Sequence, residues 1–144
     1  MVVREGFGIG MAFKYFTDED GDFIVIDKHI LPSGMTVEIQ FELYNLSNVS
    51  VANVFLNVYK KRKQISENRL HQTGKDGLKP FFWALKKINE FDEYCRQEFE
   101  SNLPMYIQVG WDDNRRARIY KRYLPRYGFR LSDFGEGMKL YRKI

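Results

Sequence analysis

The spacing of apolar residues changes once along this chain, and that change limits the folds open to it. Up to Tyr59 the period is two: Val37, Ile39, Phe41 and Leu43 alternate with Glu38, Gln40, Glu42 and Tyr44. Such a period sends successive side chains to opposite faces of a strand and leaves one face wet. From Pro80 onward Phe81, Ala84, Leu85, Ile88, Phe91, Cys95 and Phe99 recur at spacings of three and four. That is one buried stripe along a helix of about five turns. Strands that give way to helices interleaved with strands define an α+β chain with a mixed sheet.

The remaining elements follow from turn chemistry. Ala12–Phe16 and Phe23–Ile26 flank Thr17–Asp22, whose Asp and Gly residues suit a hairpin turn. Pro32-Ser33-Gly34 makes a second turn and Asn45–Asn48 a third, and a strand over Val51–Tyr59 closes an antiparallel meander. Pro80 suits the first turn of the helix, where a missing N–H costs nothing. Tyr106–Trp111 reads as a short strand, Asp112-Asp113-Asn114 as the cap of a second helix, and Pro125 with Gly128 as its end. Phe129–Ser132 and Met138–Tyr141 form a closing hairpin. A strand–helix–strand passage between residues 51 and 111 implies one parallel junction. The expectation is a single domain over residues 1–144, a mostly antiparallel sheet of about seven strands, and two main helices.

Composition narrows the function. With 44% hydrophobic and 29% charged residues the chain is ordinary globular protein, not a disordered one. One cysteine excludes a disulfide framework and a cysteine zinc cluster, and two histidines are too few for a histidine-rich metal site. No apolar run approaches ~18 residues, and the N-terminus lacks the order of a signal peptide; a cytoplasmic protein without membrane partners is expected. Charge is segregated. Residues 1–59 hold three basic against eight acidic side chains, so with a whole-chain net of +4 the rest carries a net of +9. Lys60–Lys63 and the seven basic residues of Arg115–Arg130 dominate that half. Such a surface attracts nucleic acid or a phosphate-bearing cofactor, or is simply a solvated face.

Three short patterns have the residue types of a binding site. Asp18, Asp20 and Asp22 resemble the start of a calcium loop, but Phe23 and His29 stand where glycine and glutamate are required, which leaves a plain hairpin turn. Gly6-Phe7-Gly8-Ile9-Gly10 lies too early to follow a first nucleotide-binding strand and reads as a lead-in or an irregular edge strand. Gly74 and Gly77, with Lys75 between them, precede the first helix. Glycines let backbone N–H groups approach an anion, and a helix N-terminus favours one.

The stretch Asn114-Arg115-Arg116-Ala117-Arg118-Ile119-Tyr120, continuing through Tyr123 to Gly128-Phe129, resembles the signature of the GNAT acetyltransferases. In that family an Asn, an Ala and a Tyr on a helix precede a Gly-Phe that opens the next strand. Gln72-Thr73-Gly74-Lys75-Asp76-Gly77-Leu78 sits where such proteins hold the pyrophosphate of an acyl-CoA. The resemblance covers about residues 50–141. It implies acetyl transfer from acetyl-CoA to an amine acceptor, either a small molecule or a protein. It further implies that Val58 and Tyr59 lie along the pantetheine, that Asn114 binds the cofactor arm, and that Tyr120 or Tyr123 protonates the departing thiolate. Glu38, Glu42 and His29 are open candidates for a general base. A nucleic-acid-binding module, or an inactive protein-interaction module of this shape, is the alternative.

Overall fold

The computed structural model describes residues 3–8, 11–17, 19–60, 63–67, 78–98, 102–111 and 114–144. The class is α+β with a mixed sheet. The strands are β1 (Val3–Gly8), β2 (Met11–Thr17), β3 (Phe23–Ile30), β4 (Thr36–Leu46), β5 (Val49–Lys60), β6 (Lys63–Glu67), β7 (Met105–Val109), β8 (Arg130–Ser132) and β9 (Lys139–Lys143). Two helices, α1 (Lys79–Glu98) and α2 (Asn114–Tyr123), separate the later strands, and a short 3-10 helix over Leu124–Tyr127 follows α2. The sheet order is β1-β2-β3-β4-β5-β7-β9-β8, with β6 also paired to β5. The β5–β7 ladder is parallel and the other ladders are antiparallel.

Among the described residues there are nine strands, against an expectation of about seven. The two additions are β1, which makes the glycine-containing N-terminal segment an edge strand, and β6, inside a stretch that reads as polar loop. Neither shows the alternation that marked β4, because an edge strand needs no buried face. The turn between β4 and β5 is shorter than Asn45–Asn48, since pairing runs to Leu46 and resumes at Val49.

Both helices cover one face of the sheet. Val25, Val37, Ile39, Phe41, Ala52, Leu56, Ile107, Val109 and Leu140 point to it and are buried against α1 and α2. Phe41 of β4 stacks on Phe91 of α1 with ring centroids 4.0 Å apart. From α2, Tyr120 joins the same core with Leu124 and Phe129 just beyond it. Cys95 is buried in the stripe, and burial with the nearby Asp92 charge pushes its thiol well above the usual range. It is an apolar filler, inert as a nucleophile at neutral pH.

Polar contacts pin the helices at defined places. Arg142 of β9 reaches Asp92 at 3.1 Å and Asn89 at 2.9 Å, and donates to the Tyr127 carbonyl at 3.2 Å. Gly128 turns the chain out of the 3-10 helix at φ 90°, where a Cβ would also lie 3.3 Å from the Arg142 side chain; both facts require glycine there. On the other side of α1, Lys87 bonds Asp27 of β3 at 2.6 Å and Glu90 at 2.8 Å.

Burial of the Lys87 ammonium opposes its charge, but the bonds to Asp27 and Glu90 outweigh that, and its pKa is raised above 10.5. A folded-state value above the unfolded one gives stability that is complete below the unfolded value and is lost as pH rises through the folded value. Denaturant melts from about pH 9 to about pH 12 should therefore show a steeper loss in the parent than in Lys87→Met. Equal slopes would mean that the pair contributes nothing.

Candidate functional site

The parallel ladder between β5 and β7 is short. It runs Ser50–Met105, Val51–Tyr106, Ala52–Ile107 and Asn53–Gln108, and there it stops. β5 continues to Lys60, and from Asn57 onward its partner on that side is β6. The two parallel strands thus part after Asn53 and Gln108. On the helix side of this fork lies a cavity of about 30 Å³ lined by Val54, Leu56, Ala84, Val109, Gly110 and Tyr120, among others. Its walls are apolar apart from the Tyr120 phenol and main chain. Phe81, in the first turn of α1, also borders it and stacks on Tyr120 with centroids 6.3 Å apart. That first turn carries no acidic residue, so nothing from the helix itself neutralises the partial positive charge of its N-terminus.

The residues expected to form a site fall into three groups. Tyr120 is buried and lines the cavity; Tyr123 lies against Phe81, 5.7 Å between centroids, and is half-buried under the Arg122 and Arg126 guanidinium groups. Asn114 is the exposed first residue of α2, and Leu78 is the exposed turn residue whose carbonyl accepts the first helical bond of α1, from Phe82 at 3.0 Å. Gln72, Thr73, Gly74, Lys75, Asp76 and Gly77 lie outside the described residues. Val58 and Tyr59 are displaced from the expected role in one respect: the strand beside them is β6, paired Val58–Ser66 and Tyr59–Gln64, so the fork opens earlier, at Val54. The Tyr59 hydroxyl donates to Glu38 across 3.5 Å.

Of the three candidate bases, His29 belongs to the helix face, where it stacks on Trp83 at 5.5 Å. Glu38 and Glu42 lie opposite Asn57 and Asn53 on the other face. Glu38 is held by Lys28 at 3.4 Å and by the Asn57 amide at 3.2 Å.

That other face, which no helix covers among the described residues, carries a polar chain at the tip of the fork. Gln108 is wholly buried and its Nε2 donates to Tyr44 Oη at 3.1 Å and to Asn53 Oδ1 at 3.1 Å. The Tyr44 hydroxyl in turn donates to Glu136 Oε1 at 2.6 Å. Burial and that carboxylate raise the Tyr44 pKa well above its ordinary value. The phenol therefore keeps its proton, and its oxygen accepts from Gln108, which fixes the orientation of the amide. Gln108 Oε1 is buried with no hydrogen-bond partner among the described residues. Burial, Glu136 and Asp133 raise the Tyr141 pKa, against a smaller opposing pull from the Phe134 backbone. Phe134 packs on Tyr141 and Tyr106 with centroids 4.6 and 4.8 Å apart. Sequence reasoning missed this cluster; the available signal was a lone amide, Gln108, between Ile107 and Val109 in a strand of β-formers.

No group of three or more metal-binding side chains occurs among the described residues, and no described helix is long and apolar enough to cross a membrane. Comparison with protein-family models, with curated proteins and with solved structures returned no match.

Replacing Gln108 by Leu leaves Tyr44 and Asn53 without their buried donor. A loss of about 1–3 kcal/mol is expected by chemical denaturation, toward the lower end because the unpartnered Oε1 disappears too.

Proposed function

We propose that this chain is a GNAT-like N-acyltransferase that uses acetyl-CoA. The observation that carries the reading is the fork itself, two parallel neighbours that separate beyond Asn53 and Gln108 with an apolar cavity and a buried phenol in the opening. From β5 onward the order is strand, strand, helix, strand, helix, strand, strand, which agrees with the resemblance once the added β6 is set aside. The residues fit such a donor. The cavity is sized for an acyl group more than for a whole cofactor, the acid-free start of α1 suits phosphate, and exposed Arg118, Lys121 and Arg122 on α2 suit a polyanion.

Acetyl-CoA, when bound, supplies an acyl group activated as a thioester. Val54, Leu56, Ala84 and Val109 exclude water from that group. With such a donor bound, Tyr120 Oη would hold the proton that the departing thiolate needs, and the proton lost by the amine would return to the phenol through solvent, so that the thiol is released and the phenol restored. Tyr120 is preferred to Tyr123 because it borders the cavity.

Two measurements test this. Acetyl-CoA at about 100 times its dissociation constant should add about 2.7 kcal/mol to stability and raise the melting temperature. Tyr120→Phe should keep that shift while thiol release with an amine acceptor falls by about 10²–10⁴-fold, with Tyr123→Phe near the parent. No shift at millimolar acetyl-CoA, together with no bound CoA by native mass spectrometry, overturns the reading.

The exposed basic residues of α2 and the segment after it, Arg118, Lys121, Arg122, Arg126 and Arg130, favour a second reading, nucleic-acid binding. Phosphate contacts would make affinity fall steeply with salt. Several of these cations instead cap aromatic rings, Lys121 over Trp111 at 4.9 Å and Arg122 over Tyr123 at 5.5 Å. Absence of binding to single- and double-stranded DNA and RNA at about 50 mM salt removes this reading.

A further inference from the structure

We infer that the outward face of α1 is a self-association surface, on which a second copy of this chain lays its own α1 antiparallel across a two-fold axis between Asn89 and Glu90. The inference is independent of the acyl-transfer reading, because it involves neither the fork nor the cavity behind it.

One stripe of α1 is buried against the sheet, and the opposite stripe of such a helix is normally polar. Here it begins apolar. Phe82 is 48% exposed, and Tyr127 of the neighbouring 3-10 helix is 40% exposed. These two rings border a groove of about 540 Å³ that follows Phe82, Lys86, Asn89 and Glu93, with Glu90 beside them. The intervals of four, three and four residues are those along which one helix packs on another. The groove therefore accompanies α1 for about three turns.

Charge decides what fits there. Lys87 is matched by Asp27 and Glu90, and Asp92 is matched by Arg96 and Arg142. Lys86 and Glu93 border the groove and form no ion pair among the described residues, although Glu93 accepts the Gln97 amide at 3.2 Å. The cation stands toward the N-terminal end of the groove and the anion toward its C-terminal end. A row ordered in this way is complementary to itself when reversed, which is what a two-fold interface requires. The axis between Asn89 and Glu90 sets Lys86 against the partner's Glu93 and Glu93 against the partner's Lys86. It also lays the Phe82 ring on the aliphatic stem of the partner's Gln97.

At the axis Asn89 meets the partner's Glu90. Arg142 Nη1 donates to Asn89 Oδ1 at 2.9 Å, so the amide is oriented with its Nδ2 protons left to donate to that carboxylate. The same Arg142 nitrogen donates to the Tyr127 carbonyl at 3.2 Å and so fixes the wall of the groove beside Asn89. Antiparallel helices also bring opposite ends of their dipoles together. A purely acidic or purely basic partner would satisfy one of Lys86 and Glu93 and repel the other, whereas a reversed second copy satisfies both.

Sedimentation velocity of the full chain from about 1 to about 200 μM, at about 50 mM salt, is expected to show a monomer–dimer equilibrium. Lys86→Glu and Glu93→Lys each set like charges together at both contacts, and each alone is expected to raise the dimer dissociation constant about tenfold or more. Mixed in equal amounts, the two variants restore both pairs, and the mixture is expected to associate within about threefold of the parent. Phe82→Ser, which leaves the charges in place, is expected to weaken association about tenfold. Melting temperatures establish that all three variants are folded. A parent that stays monomeric over this range overturns the proposal. So does any folded variant that associates as the parent does, or a mixture that associates no better than its components.

Discussion

The register of β5 decides the architecture around it. On one side β5 pairs with β4 over its whole length, Leu46–Val49 to Thr36–Tyr59. On the other side it is shared, first by β7 in parallel and then by β6 in antiparallel. A parallel neighbour has to arrive through a long connection, here α1, whereas β6 returns by a tight hairpin. The hairpin occupies the far half of the edge, so β7 can pair with only the near half. The separation of β5 and β7 is thus a consequence of which strands compete for one edge, and it needs no strained residue to hold it open.

The same register distributes chemistry between the faces. Because side chains alternate, Ala52, Val54 and Leu56 belong to the helix side, while Asn53 and Asn57 belong to the other, as do Glu38, Glu42 and Tyr44 across the ladder. The helix side is sealed by Phe41 on Phe91 and by Tyr120 on Phe81. The opposite side has no helix to supply apolar cover among the described residues, and polar side chains fill the space by bonding one another. Gln108 illustrates the cost of this arrangement: two good bonds from its nitrogen hold Tyr44 and Asn53, while its oxygen has no partner among the described residues.

Much of this could be read from the residues because local signals and global packing agree. The period-two run of β4 and the three-and-four run of α1 each name a buried face, and Phe41 and Phe91 from those two faces meet in the core. Turn signals at Pro32–Gly34 and at Gly128 place breaks where the chain does turn, and the strand–helix–strand passage correctly implies one parallel ladder. Strand β6 escaped because edge pairing is carried by backbone bonds that leave no hydrophobic pattern, and the same lack left the β1 segment open between a lead-in and an irregular edge strand. The handover of the β5 edge from β7 to β6 depends on β6, so the position of the fork is illegible without it. The Tyr44–Gln108–Glu136 chain joins residues 64 and 92 positions apart, and no local rule connects a strand amide to the tip of a distant hairpin.

Tyr44 and Tyr120 show how one side-chain type takes on different work through its surroundings. Tyr120 sits among apolar groups at the cavity. Tyr44 is committed to Glu136, which binds its proton at 2.6 Å and raises its pKa further. That commitment makes Tyr44 a poor acid and a good strut: it transmits the position of an exposed carboxylate to a buried amide. The phenol on the open side keeps its proton, and in doing so it holds the Glu136 carboxylate in register with the Gln108 amide at the fork.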